Sequence, residues 1–202
     1  MYSLIFYLGR NTIGIIRETG QIFILLVQAF AWMVLPPYRV KAIIKQMEFV
    51  GVKSTFVVVL TGTFTGMVLA LQSHHGFKLF GAETLVGSTM TRELGPVLTA
   101  LMVNGRAGSA MATEIGTMRV TEQIDALYVM AANPINYLIV PRIIAGIIML
   151  PVLTIVSDLL GILGGYFVGV ILLNINSGMF VANILEMLEV EDIFHGLIKS
   201  IF

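Results

Sequence analysis

Nineteen consecutive residues from Ser54 to Gln72 (STFVVVLTGTFTGMVLALQ) carry no charge. A run of that length matches the roughly 20 residues that an α-helix needs to cross a hydrocarbon core about 30 Å thick. Backbone polar groups in such a core must be satisfied within the segment, so this stretch is a helix. Lys41, Lys45 and Lys53 precede it, and basic residues favour the cytoplasmic side, so the helix starts there. Within it, Gly62 and Gly66 stand one turn apart on one face and admit a second backbone closely.

The rest of the chain fits a membrane class. Of its 202 residues 57% are apolar and 12% charged, against about 25% charged in ordinary soluble domains. No Pro/Ser/Gly-rich linker divides it, so residues 1–202 read as one membrane domain, with N-terminal helices over 1–50 and a transmembrane core over 51–202. Twelve basic and 12 acidic residues cancel, and no basic block points to nucleic acid. There is no cysteine, which excludes disulfides and thiol chemistry. The short apolar start, Tyr2 to Leu8, lacks a basic leader and a small-residue cleavage site, so a removable signal peptide is not expected.

Ile22 to Leu35 is apolar for only 14 residues, is closed by Pro36-Pro37, and has Arg10 and Arg17 before it and Arg39 and Lys41 after it. Positive flanks at both ends predict a helix lying in the membrane interface rather than across it. Thr84 to Ala112 is apolar but interrupted by Arg92-Glu93, Pro96 and Arg106. Glu114 to Ala131 changes character: Ile115, Met118, Ile124, Leu127 and Val129 alternate with Arg119, Glu122, Gln123 and Asp125 at helical spacing. The pattern predicts one short amphipathic helix, ended by Asn133-Pro134. Its bland reading is a surface connector, and its sharper one a helix that docks into a groove of a soluble partner.

Leu138 to Leu173 predicts one long span with a kink, holding Pro151, Asp158 and a stripe of Gly161, Gly165 and Gly169 suited to a tight helix contact. Asn174 to Asp192 is acidic without Lys or Arg, whereas residues 10–53 hold six of the 12 basic residues, so the acidic end is external. Ile193 to Phe202 starts another apolar helix, and a full-length chain is expected to carry at least one further span.

Ionisable groups inside a membrane cost roughly 2.5–3.5 kcal/mol unless paired or hydrated. Arg92, Glu93, Arg106 and Asp158 therefore need a reason. Arg92 and Glu93 either snorkel to water before Pro96 or face a water-filled cavity or a lipid headgroup; Asp158 either makes a buried structural hydrogen bond or serves transport. The adjacent His74 and His75 point about 100° apart on a helix and read as a solvated loop rather than a metal site. The piece Asn104 to Ser109 lacks the phosphate-loop pattern, and no Ser/His/Asp grouping supports nucleophilic catalysis. A transporter, a channel or a membrane scaffold fits better than an enzyme.

Arg92-Glu-Leu-Gly-Pro96, Gly105-Arg-Ala-Gly-Ser109, Glu114-Ile-Gly-Thr-Met-Arg119, Thr121-Glu-Gln123 and Pro141-Arg142 together resemble the MlaE (YrbE) family of permeases over roughly residues 50–200. The resemblance implies an all-α integral membrane protein with an N-terminal interfacial helix, about five transmembrane helices in the full-length chain and a cytoplasmic coupling helix. It implies the permease subunit of an ABC transporter that moves phospholipid between the inner and outer membranes of Gram-negative bacteria and maintains outer-membrane lipid asymmetry. The expected assembly is a homodimer in the inner membrane with ABC ATPase subunits below, a hexamer of MCE-domain subunits above, and a STAS-domain protein on the ATPase. No cofactor is expected in this chain, since ATP and magnesium belong to the ATPase. By position, Arg92 and Glu93 are expected to line the lipid cavity, and Glu114, Arg119, Glu122, Gln123 and Asp125 to belong to the coupling helix. A secondary transporter or channel for a small solute is the alternative, and it predicts inverted repeats, of which the sequence shows none.

Overall fold

The computed structural model describes residues 2–34, 39–77, 94–187 and 190–201. Among these every regular element is helical, and three stretches are long and apolar enough to cross a membrane: Gly9–Met33, Val40–Gln72 and Ile135–Leu172.

The first helix, α1 (Tyr2–Val34), has 33 residues and differs from the expected 14-residue interfacial segment. Arg10 and Arg17 lie inside it rather than flanking it. They are seven residues apart, two turns, so they share one face of the helix. Most of α1 is exposed; Ala29 is its one wholly buried apolar residue among those described, and α1 packs on the start of the long third span.

Helix α2 (Val40–Val50) ends at Gly51, whose N–H donates to the Met47 carbonyl at 2.7 Å, and α3 (Val52–Phe77) begins at once. A Cβ at Gly51 would stand 2.8 Å from the Met47 carbonyl and displace the end of the Met149 side chain, so the close α2–α3 junction favours glycine. In α3, Thr61, Thr63 and Thr65 donate their hydroxyls to carbonyls four residues back at 2.7–2.8 Å. Each polar side chain is thereby satisfied inside its own helix, as an apolar surround demands. The helix continues through His74 and His75, where the polar histidine pair suggests a loop.

Helix α4 (Gly95–Val103) carries Pro96 in its first turn, where the missing N–H costs nothing. A π-helical turn (Asn104–Gly108) joins it without a break to α5 (Ser109–Val120), and α6 (Gln123–Val129) follows a two-residue turn. A second π-helical turn (Ile135–Ile139), α7 (Val140–Tyr166) and a third π-helical turn (Phe167–Leu172) make one rod with Pro151 inside it. Helices α8 (Ser177–Met187) and α9 (Val190–Ile201) complete the described chain.

Helix α7 is the axis of the fold: α2, α3, α4 and α9 all pack on it. Its closest neighbour is α3, and the reason is steric. A Cβ on Gly62 would stand 2.8 Å from the Ser157 carbonyl, one on Gly66 would enter the Gly161 backbone, and one on Gly164 would enter the Thr63 carbonyl. The small residues of the two helices thus face each other, and the α7 stripe runs Ser157, Gly161, Gly164. Gly165 is also buried, and Gly169 lies under the ring of Phe180, which meets Tyr166 edge-on at 5.7 Å. Val50, Val58, Val103, Ala107, Ala145 and Leu153 form the core beside this contact. Phe56, Leu60, Phe64 and Val68 of α3 stay exposed, as suits a surface whose solvent is lipid.

Candidate functional site

The stretch from Glu114 to Ala131 is not one amphipathic helix. Glu122 has φ 57°, the left-handed region, so α5 stops at Thr121 and the chain turns into α6. A non-glycine residue there costs roughly 1–2 kcal/mol, and an ion pair across the turn offsets part of it: Arg119 Nη1 lies 2.6 Å from Asp125 Oδ1. Both side chains are exposed, so this pair is worth little beyond fixing the angle.

The two helices bury no residue completely. Ile115, Met118, Ile124 and Leu127 are half-buried, whereas Val120 is 84% and Val129 87% exposed, with Tyr128 and Met130 exposed beside them. An apolar tip flanked by Glu122 and Gln123 projects from the body. Amphipathic spacing in the sequence picks out Ile115, Met118, Ile124 and Leu127, which are half-buried, together with Val129, which is not; it misses the break, because a positive φ at glutamate carries no compositional signal.

What roots this lever in the membrane body is a residue to which the sequence alone assigns no role. Arg142, in the first turn of α7, is only 7% exposed; its Nη2 donates to Glu114 Oε2 at 2.7 Å and its Nη1 to the Leu138 carbonyl at 3.0 Å. Glu114 is 46% exposed, so it belongs to the joint rather than to a free docking face. A second arginine braces the neighbouring junction. Arg106 Nη1 donates to the Phe49 carbonyl at 3.1 Å and to Ser54 Oγ at 2.8 Å. The Phe49 carbonyl belongs to the last turn of α2, one of the acceptors that a helix end leaves open. Arg106 therefore has partners, which answers the cost that its place in an apolar stretch poses.

Asp158 lies half-buried on α7, and its Oδ1 has no hydrogen-bond partner among the described residues. Arg92 and Glu93 lie outside the described residues. Among the described residues no group of three His, Cys, Asp or Glu side chains could hold a metal.

A rod of membrane-crossing length whose start holds an exposed pair of short helices belongs to a helical membrane subunit. The family model described as Permease MlaE matches residues 43–202, and the chain belongs to that family of ABC transporter permeases. A probable ABC transporter permease protein of Rickettsia bellii is 45% identical over 197 residues, covering 96% of this chain and 76% of the relative. A probable ABC transporter permease protein of Synechocystis is 41% identical over 187 residues, covering 91% of this chain and 68% of the relative. The intermembrane phospholipid transport system permease protein MlaE of Haemophilus influenzae is 40% identical over 200 residues, covering 96% and 77%. Membership of an ABC permease family decides against the secondary-transporter alternative, which has no place for an ATPase.

Proposed function

We propose that this permease moves phospholipid between the inner and outer membranes, so maintaining outer-membrane lipid asymmetry, and that a separate ATPase drives it through the α5–α6 lever. The observation that carries the second half is the joint just described: an exposed apolar tip, a turn fixed by Arg119 and Asp125, and a root pinned to α7 by Glu114 and Arg142. A push on Glu122 and Gln123 would reach α7 through an ion pair rather than through a flexible loop. The name of the Haemophilus relative supports the cargo. So does physics: each acyl methylene kept from water is worth about 0.8 kcal/mol, and the apolar surfaces of α3 and α7 suit that task.

The working assembly in this proposal is a homodimer in the inner membrane with two ATPase subunits that bind the ATP and magnesium, an MCE-domain hexamer and a STAS-domain protein. Arg92 and Glu93 are proposed to line the lipid cavity near the dimer axis. The test is purification of the full-length permease in mild detergent with its co-purifying proteins and lipids identified by mass spectrometry. Stoichiometric ATPase and MCE subunits with bound phospholipid are expected, and a lone, lipid-free permease would overturn the proposal. Glu122→Lys or Asp125→Lys should weaken ATPase association; full co-purification with unchanged lipid-stimulated ATP hydrolysis would remove the lever from the mechanism.

A further inference from the structure

An open cavity of about 340 Å³ lies at the basic end of α3, lined by Lys45, Gln46, Glu48 and Phe49 of α2, Lys53 of α3, and Ala110 and Glu114 of α5. We propose that this cavity binds the phosphate of a membrane lipid headgroup, with Lys45 and Lys53 as its cationic ligands and the acyl chains lying along α3. The site goes beyond the transport reading, because it binds a phosphate-bearing lipid whether or not that lipid is cargo.

The charge balance favours an anion. Lys45 and Lys53 make no ion pair among the described residues. Lys53 Nζ stands 5.3 Å from the centre of the Phe49 ring and the Arg106 guanidinium 5.5 Å from the same centre. Two cations thus flank the Phe49 ring, and Lys45 joins Lys53 in the cavity wall. Of the two carboxylates in its wall, Glu114 is already held by Arg142, which leaves Glu48 alone against them. Gln46 adds a polar end to the wall: its side-chain oxygen is buried without a partner. Turning that amide by 180° presents N–H donors in its place, so Gln46 can serve either a phosphate oxygen or an ammonium group. Bound phosphate would answer both the unpaired lysines and the unpartnered amide.

The surroundings say why the phosphate comes on a lipid. Phe56, Leu60 and Phe64 follow Lys53 at intervals of three and four residues, so they form one stripe directly along α3 from the cavity, and all three are exposed. Ile44 and Val52, each next in sequence to one of the two lysines, are exposed as well. A cationic cavity continuous with an apolar stripe on a membrane-spanning helix presents the two halves of a phospholipid in order. A soluble partner would meet the lever, whereas it has no access to a stripe that faces acyl chains. The basic residues of this end favour the cytoplasmic leaflet, where anionic lipids attract nearby lysines.

The experiment uses the full-length permease with its ATPase, stripped of lipid in detergent, and titrates short-chain phosphatidylglycerol by calorimetry. Parallel arms use inorganic phosphate and a short-chain diacylglycerol. Saturable binding of the phospholipid is expected, with at least tenfold weaker binding of either phosphate or diacylglycerol. Lys45→Gln with Lys53→Gln should weaken phospholipid binding by about tenfold for each charge-assisted hydrogen bond removed. Lys45→Arg with Lys53→Arg should restore it, and Lys41→Gln, outside the cavity, should leave it unchanged. Unchanged binding in the double Gln variant overturns the site. Equal affinity for inorganic phosphate overturns the lipid as its source. Loss of ATPase association with lipid binding intact would make the cavity a protein contact instead. Lipid transport is read separately, so failure of the cargo assignment does not touch this result.

Discussion

Replacing Gly66 with alanine tests the central packing of the fold. The new methyl group would enter the Gly161 peptide, with the Gly161 carbonyl carbon 2.6 Å and its Cα 2.7 Å away, against an ordinary contact of 3.4–4 Å. All three nearest atoms are backbone, so no rotamer change relieves the overlap, and α3 and α7 must separate by about an ångström. Separation also loosens the Gly62–Ser157 and Thr63–Gly164 contacts on the same seam. Overpacking of this kind costs typically 1–3 kcal/mol, and spread along the seam it falls at the upper end, about 3. Better helix propensity returns up to about 1 kcal/mol. The expected net loss is about 2 kcal/mol, which lowers the folded-to-unfolded ratio roughly 30-fold. Reversible unfolding by SDS in mixed micelles, followed by circular dichroism, measures it. Gly116→Ala and Gly146→Ala are the controls, since nothing lies within 4 Å of a Cβ at either; both should be neutral or slightly stabilising. If Gly66→Ala unfolds with its controls, the close α3–α7 approach is wrong.

Three further outcomes follow from the same contacts. Glu114→Gln should destabilise by about 1–3 kcal/mol, between the value of an exposed pair and that of a buried one, and a double-mutant cycle with Arg142→Met should show coupling of at least about 1 kcal/mol; additive effects would dissolve the joint. Arg106→Met should cost about 2–3 kcal/mol by stripping the Phe49 carbonyl and buried Ser54 of their charged donor, and Arg106→Lys should recover only part of it in the same unfolding assay. Glu122→Gly should stabilise the isolated permease by up to about 1 kcal/mol by removing the left-handed strain, while Glu122→Val should destabilise it; equal thermal midpoints for the two would argue against the turn.

The legible parts of this fold are those written in composition and period. The charge-free run over 54–72 and the apolar run over 138–173 announce their helices because lipid admits nothing else, and paired small residues announce that those helices approach closely. The register of the approach is not legible: Gly164 and Gly165 are equally small, and only the relative rotation of two helices puts Gly164 against Thr63. The expected bounds of α1 fail for a related reason. Flanking charge reads as a boundary, but a helix places Arg10 and Arg17 on one face, where two arginines interrupt the sequence without interrupting the helix.

The candidate site shows the same division more sharply. Periodicity finds the lever, and a single torsion at Glu122 bends it. The arginines are where sequence reasoning falls furthest short, because an arginine in an apolar stretch states a cost without naming what meets it. Arg106 reaches back 57 residues to Phe49, and Arg142 reaches back 28 to Glu114. Partners that distant are set by how α2, α5 and α7 converge, so they emerge only once the helices are placed. Their convergence also has a mechanical consequence: the two arginines tie the α2–α3 junction and the lever to the same end of the membrane body. A displacement of α5 must therefore either break the Glu114–Arg142 pair, leaving the buried Arg142 guanidinium without its carboxylate, or carry the start of α7 with it. In the proposed mechanism the second route is the one by which a push outside the membrane becomes movement of a helix within it.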